Sequence, residues 1–151
     1  MSYQYPLFIY WMISLIKVEA MPIEKYTVLP DDDILRRVKL PPPNRDQNDL
    51  MKIMPDGSMR LSRIAFRPDP KRDVNGLSVN IVALAPSLEE LFDSNTHLGV
   101  VLKASVYFDL NLSITHDPLT EKVEHVDYSH ALVLQLMKQE GLQASLAESY
   151  F

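Results

Sequence analysis

The chain has 151 residues, 46% of them hydrophobic and 23% charged, with a formal net charge of −5 and no cysteine. That length fits one domain with a core of its own, and the composition excludes a disordered chain. The lack of cysteine excludes disulfides, thiolate nucleophiles and zinc sites built on sulfur, and it suits a reducing, cytoplasmic setting.

Tyr5 to Ile16 reads YPLFIYWMISLI, an uncharged run too short for a transmembrane helix, which needs about 17 to 25 apolar residues. Three readings stay open: a secretory signal with Val18 and Ala20 ahead of a cleavage point before Met21, a translation start at Met21, or an element docked on the core. Lys17 follows the apolar run instead of preceding it, the wrong polarity for a signal. Residues 1–20 are therefore set apart, and a single domain is expected over 21–151.

Asp31, Asp32 and Asp33 offer side-chain oxygens that cap a short helical turn through Ile34 and Leu35. Leu35, Val38 and Leu40 equally fit a short strand. Pro41, Pro42 and Pro43 end regular structure, because none has an amide donor and each fixes φ. Pro55-Asp56-Gly57 is a turn, Ser58 to Phe66 has an imperfect two-residue period, Arg67 to Arg72 is a loop, and Asn75-Gly76 is a tight turn. Leu77 to Leu84 has β-branched residues at alternate places and is expected as a strand.

Ser87-Leu88-Glu89-Glu90 has the form of a capping box and is expected to open a helix ending near Asn95. From Val106 to Ile114, apolar residues alternate strictly with Tyr107, Asp109, Asn111 and Ser113, which predicts a strand with Phe108, Leu110 and Leu112 buried. His116-Asp117-Pro118 is its turn. His130 to Met137 reads as a strand or a short helix, and Leu142 to Tyr150 as a C-terminal helix. Several strands, few short helices and no βαβ rhythm give an α+β domain, mostly antiparallel.

Charge is segregated along the chain. Residues 36–72 hold ten of the fifteen Lys and Arg against four Asp, an excess of six positive charges on a chain that is acidic elsewhere. Such a split points to a basic face for an anionic partner, nucleic acid or an acidic protein. Arg60, Ser62, Arg67, Arg36 and Arg37 are its candidate binding residues, since the planar guanidinium suits phosphate and a hydroxyl adds a contact.

Four scattered glycines exclude a nucleotide-binding glycine loop, and neither GxSxG nor HExxH occurs. His130 stands at the entrance to an apolar run, where an imidazole with an accessible tip serves as general acid or base. Paired with Arg63, it would suit metal-independent ribonuclease chemistry of the toxin type, with arginine stabilising the phosphorane. On a strand His125 and Asp127 would face one way, half of a metal-binding triad, with His130 or His116 as the further ligand. No metal or cofactor is expected in the leading reading.

Arg60 to Phe66 (RLSRIAF), Leu77-Ser78-Val79 and His130-Ala131 together resemble a pattern of small uncharacterised bacterial proteins. The resemblance spans roughly half the chain, implies a bacterial or phage accessory protein, and carries no activity. Two functional readings of different class follow: a binding module presenting the 36–72 face, and a ribonuclease centred on His130 and Arg63. A metal-dependent enzyme is the third.

Overall fold

The computed structural model describes residues 24–120 and 127–150. Seven strands form among these residues, β1 (Asp33–Lys39), β2 (Met51–Ile53), β3 (Met59–Leu61), β4 (Leu77–Ile81), β5 (His97–Lys103), β6 (Ile114–His116) and β7 (His130–Val133). The helices are α1 (Ala104–Asp109) and α2 (Glu140–Glu148), and three 3₁₀ turns lie between strands. Five strands make one sheet in the order β5-β1-β4-β7-β6, and every pairing is antiparallel. β2 and β3 are a separate hairpin closed at Pro55-Asp56-Gly57, where Gly57 takes the left-handed φ of 86°. The α+β expectation holds.

Alternation along each strand sorts the sheet into two faces. Ile34 and Val38 of β1, Leu77, Val79 and Ile81 of β4, and Val100 and Leu102 of β5 point to the inner face with Ile114, Ala131 and Val133. Phe66, Tyr107, Leu136, Leu146 and Ala147 complete that core, and α2 packs on the 3₁₀ turn Arg63–Phe66. The outer face carries Leu35, Arg37 and Lys39, together with Ser78, Asn80 and His130. Near β5 that face is covered: a Cβ on Gly99 would stand 2.6 Å from the Phe92 ring, so Phe92 packs against the glycine beside Leu35. Over β4 and β7 it stays open.

Two expectations are corrected. Val106 to Ile114 is not a strand. Residues Ala104–Asp109 are helical, Tyr107 is fully buried, and Phe108 and Leu110 are only half-buried. The first amides of α1 donate to the carbonyls of Pro30 and Asp32, a cap supplied from a distant segment. The chain leaves the helix at Asn111, whose φ is 61°, and true alternation starts only there, with Leu112, Ile114 and His116 buried. The capping box does not nucleate an α-helix either. Ser87 makes no side-chain cap bond, only the 3₁₀ turn Leu88–Glu90 forms, and of the expected apolar side Leu88 is exposed while only Leu91 and Phe92 are partly buried.

The strand expected over Leu77 to Leu84 stops at Ile81, where the 3₁₀ turn Val82–Leu84 takes over. β1 settles the choice at residues 31–40 in favour of a strand, and β7 does the same for the run from His130. Gly76 sits in its turn at φ 144° as read from Asn75-Gly76. The apolar run Tyr5 to Ile16 lies outside the described residues. Among those described, no helix is long and apolar enough to cross a membrane.

Candidate functional site

The open half of the outer face is a cleft of about 1000 Å³. Its floor is set by register. Asn80 on β4 stands opposite His130 on β7, and Ser78 lies two residues further along the same face. Its walls come from the loop after β4 (Leu84, Pro86, Glu90 and Leu91) and from the segment before β7 (Leu119, Asp127, Tyr128 and Ser129). Arg37 and Lys39 of β1 also line it, with Arg72 of the loop before β4, whose Nε is paired with Asp69 at 3.1 Å.

His130 is held at both ring nitrogens. Nδ1 lies 2.8 Å from the carbonyl oxygen of Asp117 and 3.3 Å from that residue's carboxylate. A carbonyl only accepts, so Nδ1 carries a proton, and in the tautomer that holds it there alone Nε2 is the acceptor. The Ser78 hydroxyl lies 3.0 Å from Nε2 and donates to it. The imidazole side chain is 11% exposed, and Asp117, at 42%, faces solvent. A hydroxyl aimed at a basic nitrogen whose other side is tied to a carboxylate-bearing residue is the geometry of an activated nucleophile.

A second network fixes the wall. Asn80 Nδ2 donates to Asp127 Oδ2 at 2.9 Å and to Ser129 Oγ at 2.8 Å. Ser129 donates to Asp127 Oδ1 through its hydroxyl at 2.7 Å and its amide at 3.1 Å. Asp127 thereby has donors on both oxygens. His116 is committed to the fold: Nδ1 accepts from the Tyr26 amide at 2.8 Å, and Nε2 donates to the Tyr128 carbonyl at 2.6 Å.

Arg36 behaves unlike the other arginines. It points to the inner side, where Nε donates to the Ala65 carbonyl and Nη1 to the Ser78 carbonyl, both at 3.0 Å. Burial pushes its pKa below the ordinary arginine range; Asp73 opposes that shift, while the charges of Arg37 and Arg72 add to it. The guanidinium groups of Arg37 and Arg72 therefore lie close enough to Arg36 to disfavour its charge.

Of the candidates from sequence, His130, Arg36 and Arg37 come together at the cleft. Arg60, Ser62, Arg63 and Arg67 do not line it. Arg63 bonds Gln143 at 3.3 Å and pairs with Glu140 at 3.5 Å, so its charge is directed to α2. Ser62 caps the following 3₁₀ turn through its oxygen and donates to the Asp49 carbonyl. Arg60 stands on β3 across from Lys52, and Arg67 is exposed at the end of the 3₁₀ turn. The basic segment is thus divided among several surfaces. His125 lies outside the described residues, and Asp127 is engaged by Asn80 and Ser129. Sequence reasoning did not single out Ser78, Asn80 or Arg72 as site residues. Comparison with protein families, curated proteins and solved structures returns no match to this chain.

Proposed function

We propose that this protein is a binding domain for a phosphate-bearing ligand, a single-stranded nucleic acid, taken up in the outer-face cleft. The observation that carries the reading is the convergence of Arg37, Lys39 and Arg72 on one cavity, with Arg36 behind them. A guanidinium fork matches phosphate oxygens with two parallel hydrogen bonds. An anion beside Arg36, whose charge Arg37 and Arg72 disfavour, offsets that repulsion, which favours uptake of phosphate over a neutral ligand. Tyr128 lines the same cavity and is 55% exposed, offering a ring on which a base can stack. An acidic protein would meet the same cations but gain nothing specific from that ring. The accessory role in a bacterial or phage setting belongs to the same proposal.

Titration of a labelled single-stranded oligonucleotide by fluorescence anisotropy tests it. Between about 50 and 200 mM salt the affinity is expected to fall about 10-fold or more, as bound phosphates release counterions. Arg37→Ala and Arg72→Ala should lower both the affinity and the salt slope, whereas Arg45→Ala and Arg67→Ala should change neither. Tyr128→Ala should weaken binding without altering the slope. Equal binding of polyglutamate, insensitive to Tyr128→Ala, would identify an acidic protein as the partner. Binding that ignores salt and both cleft arginines would contradict the proposal.

A further inference from the structure

We infer that Ser78, His130 and Asp117 form a catalytic relay that transfers the phosphoryl group of a phosphodiester, with Ser78 as the nucleophile. The inference rests on the phosphate-binding reading and adds a reaction to it. It comes from the order of contacts: a Ser78 hydroxyl 3.0 Å from His130 Nε2, and His130 Nδ1 at 2.8 and 3.3 Å from two oxygens of Asp117. His116, which serves the fold, also bonds through both nitrogens, but to backbone groups alone. In His130 both nitrogens are used in the sense that leaves the free lone pair against an alcohol on the cleft floor.

The step balances without a metal or redox partner. Ser78 Oγ attacks phosphorus as its proton passes to Nε2, and the Oγ–P bond forms. The bond from phosphorus to the leaving alkoxide breaks, its electron pair stays on that oxygen, and the Nε2 proton follows it. Water then repeats the sequence: it gives a proton to Nε2, attacks phosphorus and releases Ser78, which takes the proton back. The sum is a diester and water giving a monoester and an alcohol. Asp117 is a positioning residue, holding the tautomer and stabilising the imidazolium. Arg37 and Arg72, lining the same cavity, face the charge that builds on the equatorial oxygens.

The cations select the substrate class, since a carboxylic ester brings no charge for them to meet. The serine nucleophile also separates this chemistry from a ribonuclease that uses the ribose 2′-hydroxyl, because it cleaves DNA as readily as RNA. Ser78 is only partly exposed, so a flexible single strand fits the approach better than a duplex.

Turnover of bis(4-nitrophenyl) phosphate and of a labelled single-stranded DNA oligonucleotide, measured beside anisotropy binding of the same oligonucleotide, tests the inference. Wild-type protein is expected to release 4-nitrophenolate and to cleave the DNA. Ser78→Ala should reduce both by about 100-fold or more with binding retained. Diisopropyl fluorophosphate should leave an adduct on Ser78, located by peptide mass spectrometry, and His130→Gln should suppress that adduct. Asp117→Asn should shift the pH profile of turnover, which a merely structural residue would not. Binding without turnover overturns the relay and leaves the binding reading standing; no binding at all removes both. Cleavage of RNA with DNA untouched, or hydrolysis of 4-nitrophenyl acetate with the phosphodiester untouched, also overturns it.

Discussion

The guanidinium of Arg36 donates to the backbone carbonyl of Ser78 at 3.0 Å, at the place where β1 and β4 cease to pair. Those strands are registered only at Ile34↔Ile81 and Leu35↔Asn80. Beyond Leu35 the arginine replaces the strand ladder and also ties the sheet to the 3₁₀ turn through Ala65. Arg36→Ala should cost about 2 to 4 kcal/mol, since it strands two carbonyls that had charge-assisted donors. Arg36→Lys should fall between, because one ammonium cannot reproduce the fork. Chemical denaturation of the three proteins checks the order, and equal stability of Arg36→Ala and wild type would refute it.

Gly76 is a second backbone constraint, at the start of β4. Its φ of 144° is unfavourable for any side chain, and an added Cβ would stand 2.9 Å from the Val133 carbonyl and 3.1 Å from Leu132 Cβ. Gly76→Ala should destabilise by about 1 to 3 kcal/mol and lower the melting temperature by several degrees. Gly57→Ala, with open space around it, should cost less in the same melt. A larger loss at Gly57 would contradict the packing described for β7.

Tyr107 is completely buried, and its hydroxyl finds no hydrogen-bond partner among the described residues. Burial pushes its phenol well above the ordinary range, and the nearby Arg36 charge only partly offsets this. Tyr107→Phe removes the unsatisfied group while keeping the ring, so stability should be unchanged or higher by up to about 2 kcal/mol. A clear loss in thermal unfolding would show that the hydroxyl is satisfied.

Asn80 couples β4 to the wall of the cleft by donating to Asp127 and Ser129. Asn80→Ala should cost about 1 to 3 kcal/mol and loosen that wall. Asn80→Asp sets one carboxylate against another, which raises the folded-state pKa of the pair above its unfolded value. Its deficit relative to wild type should be full at neutral pH and shrink as pH falls through the carboxylate range, where a protonated acid donates again. A deficit that grows on acidification would refute the contact.

Much of the cleft was legible in the alternation of two strands. Val79 and Ile81 are apolar, so Ser78 and Asn80 had to share the other face, and His130 opens β7 opposite in face to Ala131 and Val133 in the same way. What alternation cannot supply is pairing: nothing local states that Asn80 stands opposite His130. The basic segment misled because charge counts carry no direction. Arg36 and Arg37 are adjacent and both line the cleft, yet the guanidinium of Arg36 is spent on the Ala65 and Ser78 carbonyls. The helix α1 was hidden for a similar reason. A strict alternation from Val106 fits a strand, and the carbonyls of Pro30 and Asp32 that cap the helix instead are some 70 residues upstream.

The most direct measurement is amide NMR mapping of a short single-stranded oligonucleotide on the labelled protein. Binding in the cleft predicts the largest shifts at Arg37, Ser78, Asn80, Tyr128 and Ser129, with a discrete change at His130. Largest shifts at Lys52 and Arg60 of the β2–β3 hairpin and at Arg67 after the 3₁₀ turn would place the anion on the outlying basic residues and contradict a site built on the sheet.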